Sequence, residues 1–452
     1  MNPLVFREYD IRGVADRDLS DDLAANLGRA FGTFIRRRDG KKIVLSRDCR
    51  LSSDRLHQHL RKGLLATGLK LVDIGVQPTP TMYFSVFHLE TDGGVQITGS
   101  HNPPEDNGFK LMVGKQTLSG DEIRELRRMV EERDFDLPSG GTSEDFDPTP
   151  AYAGFIKGNI RLARTDLKVA IDAGNGAGGP MALAALGAVG IKPIAMYCEM
   201  DGHFPNHHPD PSEPHNVAEL AKRVVDEGLD LGIAYDGDAD RIGVIDDKGE
   251  ILFGDRLMIL LSRHILKRHP GAAILGEVKC SQTLYDDIAA NGGRPIIWKT
   301  GHSLIKKKMK EEKALLAGEM SGHVFFADRF FGFDDAIYAT LRLLEILSQG
   351  DVPLSQLLAD VPKTHSTPEI RVECEDETKF EVVERVLAHY RDEREILDVD
   401  GARIQFDSGW GLVRASNTQP SLVLRFEAKD DEALNAIRSE VEAVVARARE
   451  GN

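Results

Sequence analysis

The sequence predicts an α/β protein: three related α/β domains, followed by a C-terminal α+β domain built on another pattern. Three observations lead there. The chain has 452 residues, far more than one core accommodates, and at ~150 residues per domain it implies about three or more units. Short apolar runs recur, each ending in a polar Gly-, Asp- or Ser-rich loop and followed by a helical stretch, which is the signature of parallel α/β units with sites at strand ends. The last segment breaks that rhythm with two amphipathic helical stripes around strand-like runs.

In chain order, Ile43-Val44-Leu45 leads into Ser46-Arg47-Asp48, and Val95-Gln96-Ile97 into Thr98-Gly-Ser100-His101-Asn102-Pro103. Pro104 follows Pro103 and blocks continuation as a helix. The polar stretch 137–150 (LPSGGTSEDFDPTP) reads as a linker. Val169-Ala-Ile171 leads into Asp172-Ala-Gly-Asn175-Gly, and Leu229–Tyr235 into Asp236-Gly-Asp238-Ala-Asp240-Arg241, with Ile242-Gly-Val244-Ile245 beyond. Ala272–Leu275 leads into Gly276-Glu277, and KTHSTP at 363–368 marks a further break. Phe380, Val383, Leu387 and Tyr390 form one helical face, strands are expected at 402–406 and 422–426, and Leu434, Ile437, Val441 and Val444 line a C-terminal helix. The domains are therefore placed at 1–145, 146–250, 251–365 and 366–452.

The charge balance excludes some partners. A net charge of −16 argues against nucleic-acid binding, which needs a basic surface, and it means that an anionic substrate must be captured by locally placed cations. No apolar run approaches ~18 residues, so no membrane span is expected. The charged start MNPLVFREYD has no signal-peptide core. Cys49, Cys198, Cys280 and Cys374 are widely scattered, which suits reduced thiols in the cytoplasm.

Two loops carry the chemistry. Ser100 stands between Gly99 and His101 at a strand end, where its hydroxyl can meet a substrate; alone, the phrase is a common polar turn. Asp236, Asp238 and Asp240 alternate, so in extended chain they emerge on one side and can converge on one ion. Three carboxylates with no His or Cys nearby suit Mg²⁺. An EF-hand would need Gly at its sixth position and Glu at its twelfth; these are Arg241 and Asp247. A serine loop with a magnesium loop suggests phosphoryl transfer.

With those residues in hand, the sequence resembles the α-D-phosphohexomutase superfamily, in its bacterial phosphomannomutase/phosphoglucomutase branch. The match runs along nearly the whole chain: Phe6-Arg-Glu-Tyr9-Asp-Ile-Arg12-Gly13, Arg47-Asp48, the serine loop, Asn107-Gly-Phe-Lys110, Asp172-Ala-Gly-Asn175-Gly176, the aspartate loop, Lys299-Thr-Gly-His302, Gly318-Glu319-Met-Ser321-Gly-His323 and Arg414-Ala-Ser416-Asn417-Thr418. Gln419 stands where Thr is the expected residue.

The resemblance implies domains with mixed sheets around a central cleft, the fourth small and mobile. It implies that Ser100 is a phosphoserine, and that Asp236, Asp238 and Asp240, with the Ser100 phosphate, hold one Mg²⁺. Glu319 and Ser321 would recognise sugar hydroxyls, and Arg414, Ser416, Asn417 and Thr418 a remote phosphate. Tyr9, Arg241 and His302 would line the substrate, with Lys279, Arg47 and Asn175 weaker candidates. Lys110, His323 and Arg12 are candidates for proton transfer: Lys110 if desolvation or neighbouring cations lower its pKa, His323 because it titrates near neutrality unaided. The sequence does not choose between them. His207-His208 invites a metal reading but suits a rigid loop beside Pro209.

The implied activity is reversible interconversion of mannose 1-phosphate with mannose 6-phosphate, and of glucose 1-phosphate with glucose 6-phosphate. It would run through phosphoserine and a hexose 1,6-bisphosphate, which also serves as activator. The partners expected are sugar phosphates, with the chain a monomer or weak dimer. Two other classes compete. A haloacid-dehalogenase-type phosphatase would need Thr or Val where Ile242 stands, and would leave Ser100 without a role. A non-catalytic sugar-phosphate binder would not need the full reactive set.

Overall fold

The computed structural model describes residues 2–138, 140–416 and 419–450. Four sheets follow one another along the chain. The first contains β1 (Ile11–Val14), β2 (Lys42–Arg47), β3 (Lys70–Val76), β4 (Gly93–Ile97), β5 (Asp106–Val113), β6 (Gln116–Thr117) and β7 (Thr142–Asp145), in the order β1-β5-β4-β2-β3-β7 with β6 paired to β5. The second contains β8 (Val169–Asp172), β9 (Ile194–Met196), β10 (Leu231–Tyr235), β11 (Ile242–Ile245) and β12 (Ile251–Leu252), in the order β12-β11-β10-β8-β9. The third contains β13 (Ala273–Glu277), β14 (Arg294–Trp298), β15 (Leu316–Gly318) and β16 (Val324–Phe326), in the order β14-β13-β15-β16. The fourth contains β17 (His365–Ser366), β18 (Ile370–Glu373), β19 (Ile396–Leu397), β20 (Ala402–Phe406), β21 (Gly409–Ala415) and β22 (Ser421–Ala428), and its pairings are antiparallel.

The first three sheets share a plan that the sequence only hinted at. Each has parallel strands at its centre and then reverses: β4 to β5, β10 to β11 and β15 to β16 are antiparallel neighbours. The serine loop, the aspartate loop and the Glu319 loop are the three reversals. The mixed α/β architecture expected from the sequence is thus present, and the repetition explains why three unrelated-looking loops reach one place.

The central strands are buried on both faces, as parallel sheets covered by helices require; β4, β8, β10 and β13 are buried throughout. One apolar core runs from Val44 through the second unit to Val361 of the third. The helix Thr79–His88 joins the units, being buried from Thr79 to Val86. Its first turn takes the aspartate loop as its partner, with the Thr79 amide donating to the Asp238 carbonyl at 2.9 Å. The fourth unit keeps its own core, from Val382 to Ala448.

Several sequence expectations are corrected here. The stretch 137–150 is not only a linker: β7 lies within it, paired in parallel with β3, and a helix starts at Thr149. The strand Gly409–Ala415, missed from sequence, carries Arg414 near its end. Phe380 is exposed, unlike Val383, Leu387 and Tyr390; the buried side of its helix is made by Lys379, Val382, Val383, Val386, Leu387 and Tyr390. Leu434 packs only partly, whereas Ile437, Val441 and Val444 are buried. Among the described residues, no helix is long and apolar enough to cross a membrane.

Candidate active site

The serine loop is held by one buried arginine. Arg50, paired with Asp48 at 3.2 Å, fans its guanidinium over backbone carbonyls. It donates to those of Ser100 (2.7 Å), Asn102 (2.6 Å), Asp106 (3.0 Å) and Pro103. The Asp48 carboxylate accepts from the Gly99 amide at 3.2 Å. Gly99 is required there, since a Cβ would lie 2.5 Å from the Arg50 guanidinium carbon. Ser100 sits at φ 51°, in the left-handed region that costs a non-glycine residue ~1 kcal/mol or more and persists only when the surroundings over-determine it. The sequence reading passed over Arg50. The signal was available in the Asp48-Cys-Arg50 spacing at the end of a buried strand.

The aspartates converge by another route than the one expected. They lie on a tight turn, not on extended chain, and Ala239 takes φ 57° to close it. Asp236 staples the turn: its Oδ1 accepts from the amides of Asp240 and Arg241, each at 3.1 Å. Its Oδ2 accepts from the Ser100 hydroxyl at 2.6 Å. The two loops touch at Gly237, where a Cβ would lie 2.4 Å from the Ser100 carbonyl oxygen. One oxygen of each of the three carboxylates falls within 4.8 Å of the others, and all three residues are buried.

These residues fit a hard cation. Asp238 Oδ1 and Asp240 Oδ1 are buried without a hydrogen-bond partner, a state that costs free energy unless a cation is at hand. Burial and the two neighbouring carboxylates push Asp236 well above the usual carboxylate range. The donor set is oxygen only.

Lys110 reaches the same cluster, donating to Asp238 Oδ2 at 2.7 Å and Asp240 Oδ2 at 2.5 Å. Burial alone would lower its pKa, but Asp238, Asp240 and Asp236 outweigh burial and raise it. Of the two conditions under which Lys110 becomes a base, desolvation is met but outweighed, and neighbouring cations are replaced by anions. Asp238 is held below its ordinary range, because Lys110 and the Thr79 hydroxyl at 2.5 Å outweigh the effect of burial.

His323 lies on the far side of the cluster. Arg241 Nε donates to its Nε2 at 3.0 Å, which assigns the ring proton to Nδ1. Nδ1 lies 3.1 Å from Asp334 Oδ2 and 3.6 Å from Asp240 Oδ1. Burial opposes protonation, but Asp240 and Asp334 outweigh it and raise the His323 pKa. His302 stacks on His323 with ring centroids 5.9 Å apart. Burial, then Lys306, push His302 well below the ordinary histidine value.

The sugar-loop candidates hold each other in place. Glu319 accepts from the Gly301 amide at 2.7 Å and from the Ser321 hydroxyl at 3.2 Å. Glu277 accepts from the Met320 amide at 3.0 Å and from the Thr300 hydroxyl at 2.5 Å. Arg414 Nε and the Thr300 amide share Asp400 Oδ2, at 2.9 and 3.1 Å, which ties the fourth unit to the third.

One cleft of about 980 Å³ gathers Tyr9, Arg12, Ser100, Lys110, Arg241, His302, Glu319, Ser321, His323, Arg414 and Ser416. Asp236, Asp238 and Asp240 lie behind its wall, fully buried. Arg12 bonds Asn102 at 2.7 Å and pairs with Asp10 at 2.8 Å. Asn417 and Thr418 lie outside the described residues. Lys279 also faces the cleft, paired with Glu369 at 2.5 Å, and Arg371 and Arg425, missed from sequence, add cations at the fourth unit's side. Arg47 and Asn175 are not among the lining residues: Arg47 pairs with Asp54 at 3.3 Å, and Asn175 donates to the Glu199 carbonyl at 2.9 Å. His207 pairs with Asp172 at 3.0 Å, as a loop-holding residue would.

The chain matches the descriptions of phosphoglucomutase/phosphomannomutase α/β/α domain I over residues 3–137, domain II over 150–249, domain III over 253–365 and the C-terminal domain over 369–444. It is 47% identical over 437 residues to the phosphomannomutase/phosphoglucomutase of Pseudomonas aeruginosa, covering 96% of this chain and 94% of that one. It is 43% identical to the phosphoglucomutase of Neisseria gonorrhoeae, covering 98% and 96%. A crystal structure of a phosphoglucomutase/phosphomannomutase family protein from Burkholderia thailandensis superposes with a TM-score of 0.93 at 40% identity, covering 99% of this chain and 98% of that one. With its four sheets in sequence and its serine and aspartate loops meeting at one cleft, the chain belongs to the phosphoglucomutase/phosphomannomutase family of mutases.

Proposed function

We propose that this chain interconverts the 1- and 6-phosphates of mannose and of glucose by way of a phosphorylated Ser100 and a hexose 1,6-bisphosphate. The observation that carries the reading is the junction of the two loops: the Ser100 hydroxyl sits 2.6 Å from Asp236 at the wall of a cleft lined by cations. The cleft's volume suits a sugar bisphosphate.

In the forward half, the free sugar hydroxyl attacks the phosphorus on Ser100. The Ser100 Oγ–P bond breaks as the sugar O–P bond forms. His323 takes the hydroxyl proton on Nε2 once the Arg241 bond to that atom opens, and Lys110, held cationic by Asp238 and Asp240, stays beside the transferring phosphoryl group. Asp236, Asp238 and Asp240 would hold Mg²⁺, which when bound supplies charge neutralisation at phosphoryl oxygens. Arg414 and Ser416 grip the phosphate that is not reacting. Glu319 and Ser321 fix the ring by its hydroxyls. The bisphosphate then turns end for end and Ser100 takes the other phosphate. A trace of bisphosphate charges any enzyme that has lost its phosphate.

Met320 lines the cleft between Glu319 and Ser321, and its thioether is a poor acceptor and no donor. With the sugar's C2 hydroxyl toward it, the site does not discriminate glucose from mannose. Comparable kcat/KM for the two 1-phosphates is expected, and a hundredfold gap would remove this part of the reading.

The test is ³¹P NMR with mannose 1-phosphate, Mg²⁺ and a trace of hexose 1,6-bisphosphate. A mutase yields the 6-phosphate. Inorganic phosphate would indicate a phosphatase, and an unchanged spectrum a binding protein.

A further inference from the structure

A second recess lies away from the cleft, at the seam of the second and third units. It encloses about 350 Å³ and is lined by Arg161, His264, Lys267, Arg268, Arg329 and Glu345, with Gln349 at its edge. Its cations come from three places: the end of the helix Gly254–Leu266, the turn after the helix Thr149–Asn159, and the loop after β16. The helix Gly254–Leu266 begins against the sugar loop, where a Cβ on Gly254 would lie 2.3 Å from the Glu319 carbonyl oxygen. Thirteen residues at 1.5 Å each put the recess roughly 20 Å from that loop.

The charge there is unbalanced. Glu345 already accepts from Arg329 through both oxygens and from the Arg161 amide at 2.9 Å. Asp328, behind the wall, is shared by Arg342 at 2.6 Å and Arg268 at 3.2 Å. Four cationic side chains (Arg161, Lys267, Arg268 and Arg329) thus line the recess with one carboxylate, Glu345, that is already bonded, while Arg342 and Asp328 pair behind it. The Nε atoms of Arg329 and Arg342 are buried without a hydrogen bond, held only at ion-pair distance, 3.8 Å from Asp328 and 3.5 Å from Glu345. Burial, followed by Arg268 and Arg342, pushes the His264 ring down to about 4, so the ring is neutral and adds no charge of its own. In a chain of net charge −16, a concave surplus of positive charge is a local feature, and planar guanidinium forks match phosphate oxygens.

We infer that this recess is a second anion site, built for a small phosphorylated metabolite carrying two or more negative charges and separate from the catalytic cleft. The probe is 3-phosphoglycerate, which bears a phosphate and a carboxylate, titrated into Mg²⁺-loaded enzyme whose cleft is filled with glucose 1,6-bisphosphate. The readout is the ¹³Cε1–¹H signal of His264 in histidine-labelled protein. A saturable shift is expected, with half-saturation raised at least tenfold by Lys267→Glu and by Arg161→Gln, both exposed positions, and unchanged by Arg414→Ala. Turnover of the two recess variants stays within twofold of wild type. No saturable shift up to about 10 mM, the same shift from chloride at matched ionic strength, or a shift lost in Arg414→Ala would overturn the inference.

Discussion

The backbone of Ser100 is placed by Arg50 and Asp48, which are not among the residues lining the cleft. Ser100→Ala should lower turnover by about 10⁴-fold or more and abolish ³²P incorporation from labelled bisphosphate, with the melting temperature little changed; full incorporation in the variant would rule out Ser100 as the carrier. Arg50 is the positioning residue. Its pair with Asp48 is buried, both side chains being at most 2% exposed, and breaking such a pair costs roughly 3–5 kcal/mol. Arg50→Met should show that loss in urea unfolding and a fall in kcat larger than any change in KM. Arg50→Lys should rescue neither, because one ammonium cannot span the carbonyls that the guanidinium reaches. Recovery by lysine would mean that charge alone matters. The serine was legible in the sequence, whereas its left-handed backbone and the arginine behind it were not, since both depend on which strand ends lie side by side.

At the scale of elements, the helix Ala336–Leu347 starts on a buried acid. Asp335 caps it, accepting from the Tyr338 amide at 2.8 Å, and accepts from the Tyr152 hydroxyl at 2.8 Å. Burial outweighs these bonds and pushes its carboxyl up to about 7. In the unfolded chain the same group ionises near 4. Between those values the native state keeps a proton that the unfolded state has lost, so stability falls as pH rises from about 4 to about 7 and is flat above. Asp335→Asn keeps the cap and removes that slope. It should be the more stable protein at pH 8, by roughly 4 kcal/mol at most, and the difference should vanish near pH 4. Unfolding curves at several pH values decide it, and parallel profiles for the two proteins would refute the assignment. The same scale explains the aspartate loop: alternation in sequence suggested extended chain, but the carboxylates meet because Asp236 and Ala239 close a turn between two antiparallel strands.

For the molecule as a whole, the cleft takes its lining from all four units, as Ser100, Arg241, His302 and Arg414 show. Chelation of divalent cations should abolish turnover, and added Mg²⁺ should restore it; activity that survives chelation would sink the metal reading. The fourth unit docks through Arg403, which donates to the Val278 and Cys280 carbonyls at 2.7 and 3.0 Å and stacks 4.0 Å over Trp410. Trp410 is itself buried and bonded to Glu427 at 2.9 Å. The chain has two tryptophans, so Trp298→Phe leaves Trp410 as a single reporter of this contact. If the fourth unit releases and regrips the substrate, bisphosphate should change Trp410 emission in that variant, saturating with the same half-point as activation; emission indifferent to ligand would argue for a rigid dock.

What the linear chain determined is its chemistry and its class of fold. Recurring strand-to-loop runs, the Ser100 phrase and the three spaced aspartates are local patterns, readable because backbone turns and oxygen-rich metal loops impose their residue types over a few positions. The tertiary structure alone decided how these pieces act. It set carboxylates, not cations, around Lys110, gave His323 its tautomer through Arg241, made Arg50 the anchor of the serine loop, and left Arg47 and Asn175 outside the cleft lining. Those outcomes rest on contacts between residues far apart in sequence, and electrostatic effects depend on burial and on neighbours brought together only when the sheets stack.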